Sequence, residues 1–208
     1  IWAEGDLVYI KSPGPMEMWK EYFDLERDYL KISSGFDGGE YLSMCVSYGQ
    51  GIRILRQDPW EALCSFIISQ CNNISRIKGI VERLCENFGR ALEFEGRCFY
   101  TFPSAADIAA LPEGALGVLR CGYRAPYISA AALAVASGAL DLSALIDCDS
   151  AEAKRSLMAL PGIGEKVANC VVLFGLYHME AFPIDVWIRR ALKEHFPADF
   201  DPACLGEY

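Results

Sequence analysis

One stretch limits what this chain can fold into more than any other. It is AEAKRSLMALPGIGEKVANCVVLFGLYHMEAFPIDVWIRRAL, from Ala151 to Leu192. A helix-like run ends at Leu160 and is broken by Pro161-Gly162-Ile163-Gly164. A second helix is expected from about Glu165 to Tyr177, with apolar residues on a helical period. The two glycines let the backbone turn tightly and approach a neighbour closely before that helix begins. Its first N–H groups carry partial positive charge and point outward, which suits a phosphate. Pro183-Ile184-Asp185 then opens a third helix with Asp185 as N-cap.

The rest of the composition sets bounds. A chain of 208 residues makes one domain, or one large domain with an attached piece, and 52% hydrophobic residues are ample for a core. No apolar run reaches the length of a membrane span, and no signal peptide is recognisable, so no membrane partner is expected. The nine cysteines include no C-x-x-C pair, which argues against a zinc ribbon or a disulfide scaffold and for a reducing, intracellular setting. The chain starts at Ile1, within an expected strand, which reads as a fragment. A net charge of −9 counts against nucleic-acid binding, since phosphate neutralisation favours a basic face. Whole-chain charge nevertheless governs solubility more than local contacts.

In chain order, Trp2–Lys11 alternates weakly and reads as a strand pair or edge strand, and Ser12–Pro15 as a turn. Short helices are expected at Glu17–Tyr22, Leu25–Ile32 and Glu40–Tyr48, the last closed by Gly49-Gln50-Gly51. Asp58-Pro59 is a helix start, and helical composition then continues almost without interruption. Further helices are expected at Ile74–Phe88, Ser104–Ala110, Glu113–Arg120, Tyr127–Ser137, Leu142–Ile146 and Ser150–Leu160.

L-P-G-I-G-E-K-V-A-N-C followed by P-I-D-V resembles the helix-hairpin-helix plus Gly/Pro-Asp motif of base-excision DNA glycosylases. RQDPWEALCSFIISQCNNISR (Arg56–Arg76), CGYRAPYISA (Cys121–Ala130) and Cys170 make the 8-oxoguanine DNA glycosylases the nearest likeness in that superfamily. The resemblance covers most of Tyr22–Leu192. It implies a mainly α helix-hairpin-helix glycosylase fold with a partial N-terminal α+β subdomain. Residues 1–57 would be the remnant of that subdomain. Residues 58–208 would form the helical domain, with the hairpin at 151–177.

It also implies the chemistry. Lys166 would attack C1′, displace the base and leave a Schiff base that proceeds to β-elimination. Attack needs a neutral amine, and the first turn of a helix is an unfavourable seat for an ammonium ion. Asp185 would stabilise the developing oxocarbenium charge. Base extrusion requires a wedge and contacts to the orphaned partner. The resemblance gives these jobs to Tyr123 as the wedge, and to Arg76 and Arg124 as donors to the orphan cytosine. Asn72 and Asn73 would fill the gap or hold the local backbone. Cys170, one helical turn from Lys166, would pack on the extruded purine, although spacing alone fits a small buried residue equally. Gly162, Gly164, Val167 and Trp187 would meet the DNA backbone. No cofactor is required on this reading. A K+, Na+ or Ca2+ ion on the carbonyls of Met158, Leu160 and Ile163 is a lesser option. The partner would be duplex DNA containing 8-oxoguanine, bound by a monomer.

Three departures stand out. Cys71-Asn72-Asn73 replaces three consecutive asparagines, which removes one orphan-base contact and relaxes opposite-base discrimination. Trp187 replaces a phosphate-contacting histidine of animal relatives. The family's lesion-reading glycine loop and its base-sandwiching Phe and Gln would fall outside Ile1–Tyr208. Two other readings stay open: a related glycosylase for another damaged base, and a non-catalytic DNA-binding relative.

Overall fold

The computed structural model describes residues 2–4, 7–12, 14–35 and 39–196. It divides into two compact units, Ile1–Arg56 and Gln57–Tyr208. The expected Ser12–Pro15 turn includes position 13, which lies outside the described residues, as do positions 197–208.

In the first unit, strands β1 (Trp2–Glu4) and β2 (Leu7–Tyr9) pair antiparallel with Trp2 opposite Tyr9. Their rings stack with centroids 5.2 Å apart, a favourable cross-strand pair. Helices α1 (Met16–Tyr22), α2 (Tyr29–Ser34) and α3 (Gly39–Tyr48) follow. The helix expected from Leu25 instead begins at Tyr29. Asp28 caps it by accepting the Lys31 N–H at 2.9 Å. The preceding turn is held by buried Asp24 in a left-handed conformation (φ 50). The Asp24 carboxylate accepts the Tyr29 hydroxyl at 2.9 Å and lies 3.2 Å from the Arg27 Nε. Arg53 donates to the Asp24 carbonyl at 2.7 Å. This knot overrides a weak helical pattern.

The second unit is built of helices α4 (Pro59–Ser69), α5 (Ile74–Phe88), α6 (Ala105–Ala109), α7 (Ala125–Ala136), α8 (Leu142–Asp147), α9 (Ser150–Met158), α10 (Glu165–Phe174) and α11 (Val186–His195). Asp58 caps α4 through the Glu61 N–H at 2.9 Å, as its Asp-Pro start implies. The core gathers Leu63, Ile67, Ile80, Leu84, Leu157 and Val171, all fully buried. Helix α10 crosses α4 closely where it ends: a Cβ at Gly175 would lie 2.9 Å from the Ala62 Cβ.

The helical run after Asp58, expected almost without interruption, is broken in the gap between α5 and α6, where no helix was expected and strands were not foreseen. Strands β3 (Ala91–Phe94) and β4 (Arg97–Tyr100) form an antiparallel hairpin, with Leu92 opposite Phe99. Its turn residues Glu95 (φ 52) and Gly96 (φ 72) are both left-handed, the geometry of a two-residue hairpin turn. The Glu-Gly pair is a weaker turn signal than Asn-Gly, so the hairpin was hidden in the sequence. Glu113–Arg120 also differs, forming a 3₁₀ turn at Ala115–Leu119 between left-handed Gly114 and Arg120. An α-helix cannot pass through two left-handed ends.

Candidate active site

The hairpin is set by its backbone. Helix α9 ends at Met158, and Ile163 N–H then donates to Leu160 O at 3.3 Å to close the turn. Gly162 is left-handed (φ 78), and any Cβ there would overlap the Tyr127 ring of α7. Gly164 caps α10 with an extended backbone, and a Cβ there would meet nothing within 4 Å. One glycine is demanded from within the fold, while the other faces open space. Ala168 makes the first helical bond, to Gly164 O at 3.0 Å. The amides of Glu165, Lys166 and Val167 therefore have no intrahelical acceptor, as at any helix start. Lys154 Nζ lies 2.7 Å from Glu165 Oε1 and braces α9 against α10. The hydrogen bond and charge of Lys154 hold the exposed Glu165 carboxyl below its usual range.

Lys166 and Cys170 lie one turn apart on α10, and Asp185 precedes α11. Cys170 is buried, 4% exposed, and burial pushes its thiol up. The Lys166 charge and a hydrogen bond to it pull the other way, and the negative Asp185 carboxylate raises the thiol further. Asp185 is the N-cap of α11, and its Oδ1 accepts the N–H groups of Trp187 and Ile188, each at 2.9 Å. Both bonds land on one oxygen, which leaves Oδ2 outside the cap. A cleft lined by Lys154, Glu165, Asn169 and Glu180 occupies the neighbouring face of α10; it takes in neither Lys166 nor Cys170.

A second cluster joins the Asn72 loop to the Tyr123 turn. Arg124 is 3% exposed. Its guanidinium donates to the carbonyls of Gln70 (Nε, 3.0 Å), Cys121 (3.1 Å) and Cys71 (3.2 Å), and Nη2 also contacts Gln70 O. In this conformation its donors meet the protein's own backbone, whereas the resemblance assigned them to an orphan base. Tyr123, half-exposed, donates its hydroxyl to the same Gln70 carbonyl at 3.3 Å. The Arg124 guanidinium lies 4.4 Å from the Tyr123 ring centroid. Asn73 caps α5 through the Arg76 N–H at 3.0 Å, and Asn72 donates to Ile68 O at 3.0 Å. Both asparagines thus hold local backbone. Arg76 reaches Arg120 O at 3.4 Å. Arg83, which sequence reading passed over, donates twice to Leu119 O at 3.1 and 2.8 Å. Only the fold brings that carbonyl to it.

Of the expected ion-binding carbonyls, Leu160 O already accepts the Ile163 N–H, which leaves it one lone pair. Among the described residues no group of three His, Cys, Asp or Glu side chains could hold a metal. None of their helices is long and apolar enough to cross a membrane.

Residues 11–63 match the 8-oxoguanine DNA glycosylase N-terminal domain family, and residues 64–203 match the HhH-GPD superfamily of base excision DNA repair proteins. The chain belongs to the HhH-GPD superfamily. This HhH-GPD chain is 37% identical over 159 residues to an N-glycosylase/DNA lyase of Saccharomyces cerevisiae, covering 71% of the chain and 42% of that protein. It is 32% identical over 207 residues to a probable N-glycosylase/DNA lyase of Methanothermobacter thermautotrophicus, covering 89% of the chain and 64% of the relative. Its fold matches the Clostridium acetobutylicum 8-oxoguanine glycosylase/lyase solved with double-stranded DNA containing cytosine opposite 8-oxoG. There the TM-score is 0.83 at 34% identity, over 92% of this chain and 67% of that one. The chain thus spans less than two thirds of the length of the two curated relatives named here.

Proposed function

We propose that this HhH-GPD chain carries the catalytic part of a bifunctional DNA glycosylase/AP lyase that removes 8-oxoguanine from duplex DNA in base-excision repair. It would act as a monomer inside the cell. Residues 1–57 belong on this reading to the N-terminal α+β subdomain and 58–208 to the helical glycosylase domain. The Lys166 amine forms a bond to C1′ as the C1′–base bond breaks, and the base leaves with the electron pair. Opening of the sugar ring yields a Schiff base, and loss of a C2′ proton then expels the 3′ phosphate. The Asp185 carboxylate stabilises the positive charge at the sugar. Cys170 lies against the extruded purine. Tyr123 wedges into the stack, with Asn72, Asn73, Arg76 and Arg124 beside the orphan base. The amides around Gly162, Gly164 and Val167 take a backbone phosphate. A K+, Na+ or Ca2+ ion on the carbonyls of Met158, Leu160 and Ile163 would screen that phosphate.

The observation that supports this reading is the buried Cys170 on α10, one helical turn from Lys166, with a thiol raised by burial and by the Asp185 charge and lowered by Lys166. Borohydride trapping on the whole protein with a duplex carrying 8-oxoguanine opposite cytosine tests it. A covalent adduct that disappears in Lys166→Gln is expected. Adducts with oxidised pyrimidines alone would favour the related-lesion reading. Salt-sensitive binding with no adduct would leave a DNA-binding relative without catalysis.

A further inference from the structure

The connection between α10 and α11 turns on His178, whose side chain is only 9% exposed. The chain leaves α10 through Tyr177 in a left-handed conformation (φ 62), which an aromatic residue adopts only under constraint. The His178 N–H then returns to Val172 O at 3.0 Å, and its carbonyl accepts the Ala181 N–H at 3.1 Å. Its ring reaches a different helix: Nε2 lies 2.8 Å from Leu145 O in the last turn of α8. A carbonyl can only accept, so Nε2 carries the hydrogen. Leu145 O is among the carbonyls that a helix end leaves without an intrahelical partner, and the Cys148 thiol lies 3.5 Å from the same oxygen. Nδ1 lies 3.4 Å from Glu180 Oε1, a contact that is an ion pair only on a protonated ring. His178 is thereby tied to α10 by its backbone and to α8 by its ring.

We propose that His178 is a positioning residue: its clasp on α8 sets where the Asp185 carboxylate stands relative to the Lys166 amine. Lys166 rides on α10, while Asp185 ends the connection that His178 anchors. Between His178 and Asp185, Pro183 has a fixed φ and biases Phe182 before it toward extended backbone. That stiff spacer passes a shift at His178 on to Asp185 rather than absorbing it. The link to α8 is made by the ring's Nε2–H, so a side chain without that donor leaves the turn held by its backbone bonds alone. The inference rests on the glycosylase reading, in which the Asp185 carboxylate must meet the positive charge forming at the sugar. On that reading His178 touches no substrate and acts through the carboxylate it places.

The test uses the whole protein and reads two quantities. One is single-turnover base release from an 8-oxoguanine duplex with enzyme in excess, and the other is affinity for a duplex containing a non-cleavable abasic analogue. Saturating enzyme makes the rate independent of the folded fraction. His178→Leu, similar in bulk but without a donor, is expected to slow base release by about 10- to 100-fold with affinity kept within about twofold, because a small misplacement acts on the chemical step. His178→Gln keeps a side-chain N–H for Leu145 O and recovers most of the rate. His178→Asn stays polar but falls short of α8, so it behaves like His178→Leu and replaces it if that variant does not fold. A wild-type rate in His178→Leu or His178→Asn overturns the positioning role. So does a His178→Gln rate no faster than theirs, or a fall in affinity equal to the fall in rate. Wild-type protein that releases 8-oxoguanine beside an unaffected His178→Leu removes the positioning role alone; wild-type protein that releases none removes the glycosylase reading and the positioning role with it.

Discussion

The Arg124 guanidinium donates through Nε to the Gln70 carbonyl at 3.0 Å, joining the loop before α5 to the turn before α7. Arg124 also serves the carbonyls of Cys71 and Cys121 while only 3% exposed. Removing it takes charge-assisted hydrogen bonds from all three carbonyls, and hydrogen bonds to a charged group contribute about 1.5–3 kcal/mol. Arg124→Ala is therefore expected to lower unfolding free energy by about 3 kcal/mol. Arg124→Lys should recover only part, because an ammonium cannot span the carbonyls as a planar fork does. Urea titration of each variant measures this, and a loss below about 0.5 kcal/mol would mean that the clasp carries no stability.

The two hairpin glycines should respond in opposite ways. Gly162→Ala forces a side chain into the Tyr127 ring at a left-handed position, so a loss of about 2 kcal/mol or more is expected. Gly164→Ala meets open space and should unfold like wild type. Its new methyl would stand only against an outside partner, so DNA affinity should fall with melting temperature preserved. Equal affinity for Gly164→Ala and wild type would show that no backbone approaches there.

Cys71 adopts a left-handed conformation with φ 46, which costs an ordinary L-residue about 1 kcal/mol. Asparagine tolerates that region better. Cys71→Asn is expected to raise stability by about 0.5–1 kcal/mol, read as a shift in denaturation midpoint. It also restores the asparagine triplet, so it should sharpen preference for cytosine opposite the lesion.

Alkaline stability follows from the buried thiols. Burial raises Cys64, Cys121 and Cys170 above the ordinary value of 9.0 in the folded chain. The unfolded chain therefore gives up these protons first, and their contribution, complete below pH 9.0, is lost as pH rises toward the folded values. Melting temperature should fall above pH 9, and Cys64→Ala should flatten that fall. At the acid end Glu165, lowered by Lys154 from 4.5, loses its contribution as pH drops through its depressed value. That pair is exposed, so the effect should be small.

Local sequence determined the hairpin and its caps. Pro161-Gly162-Ile163-Gly164 stops one helix and starts another whatever surrounds it. Asp58 and Asp185 each cap the helix that follows through their own side chains. Such features rest on interactions within a few residues, so a linear reading finds them. Tertiary structure decided what depends on distant partners. The β3–β4 hairpin rests on cross-strand pairing that its Glu-Gly turn barely signals. The late start of α2 rests on Arg53 reaching back to Asp24. The resemblance gave Arg124 to the orphan cytosine, and only folding brings the Gln70, Cys71 and Cys121 carbonyls around it. The burial of Cys170 and the reach of the Lys166 and Asp185 charges to its thiol belong to the same class. A charge in sequence has no partner until long-range packing supplies one, and that packing sets what the side chain can do.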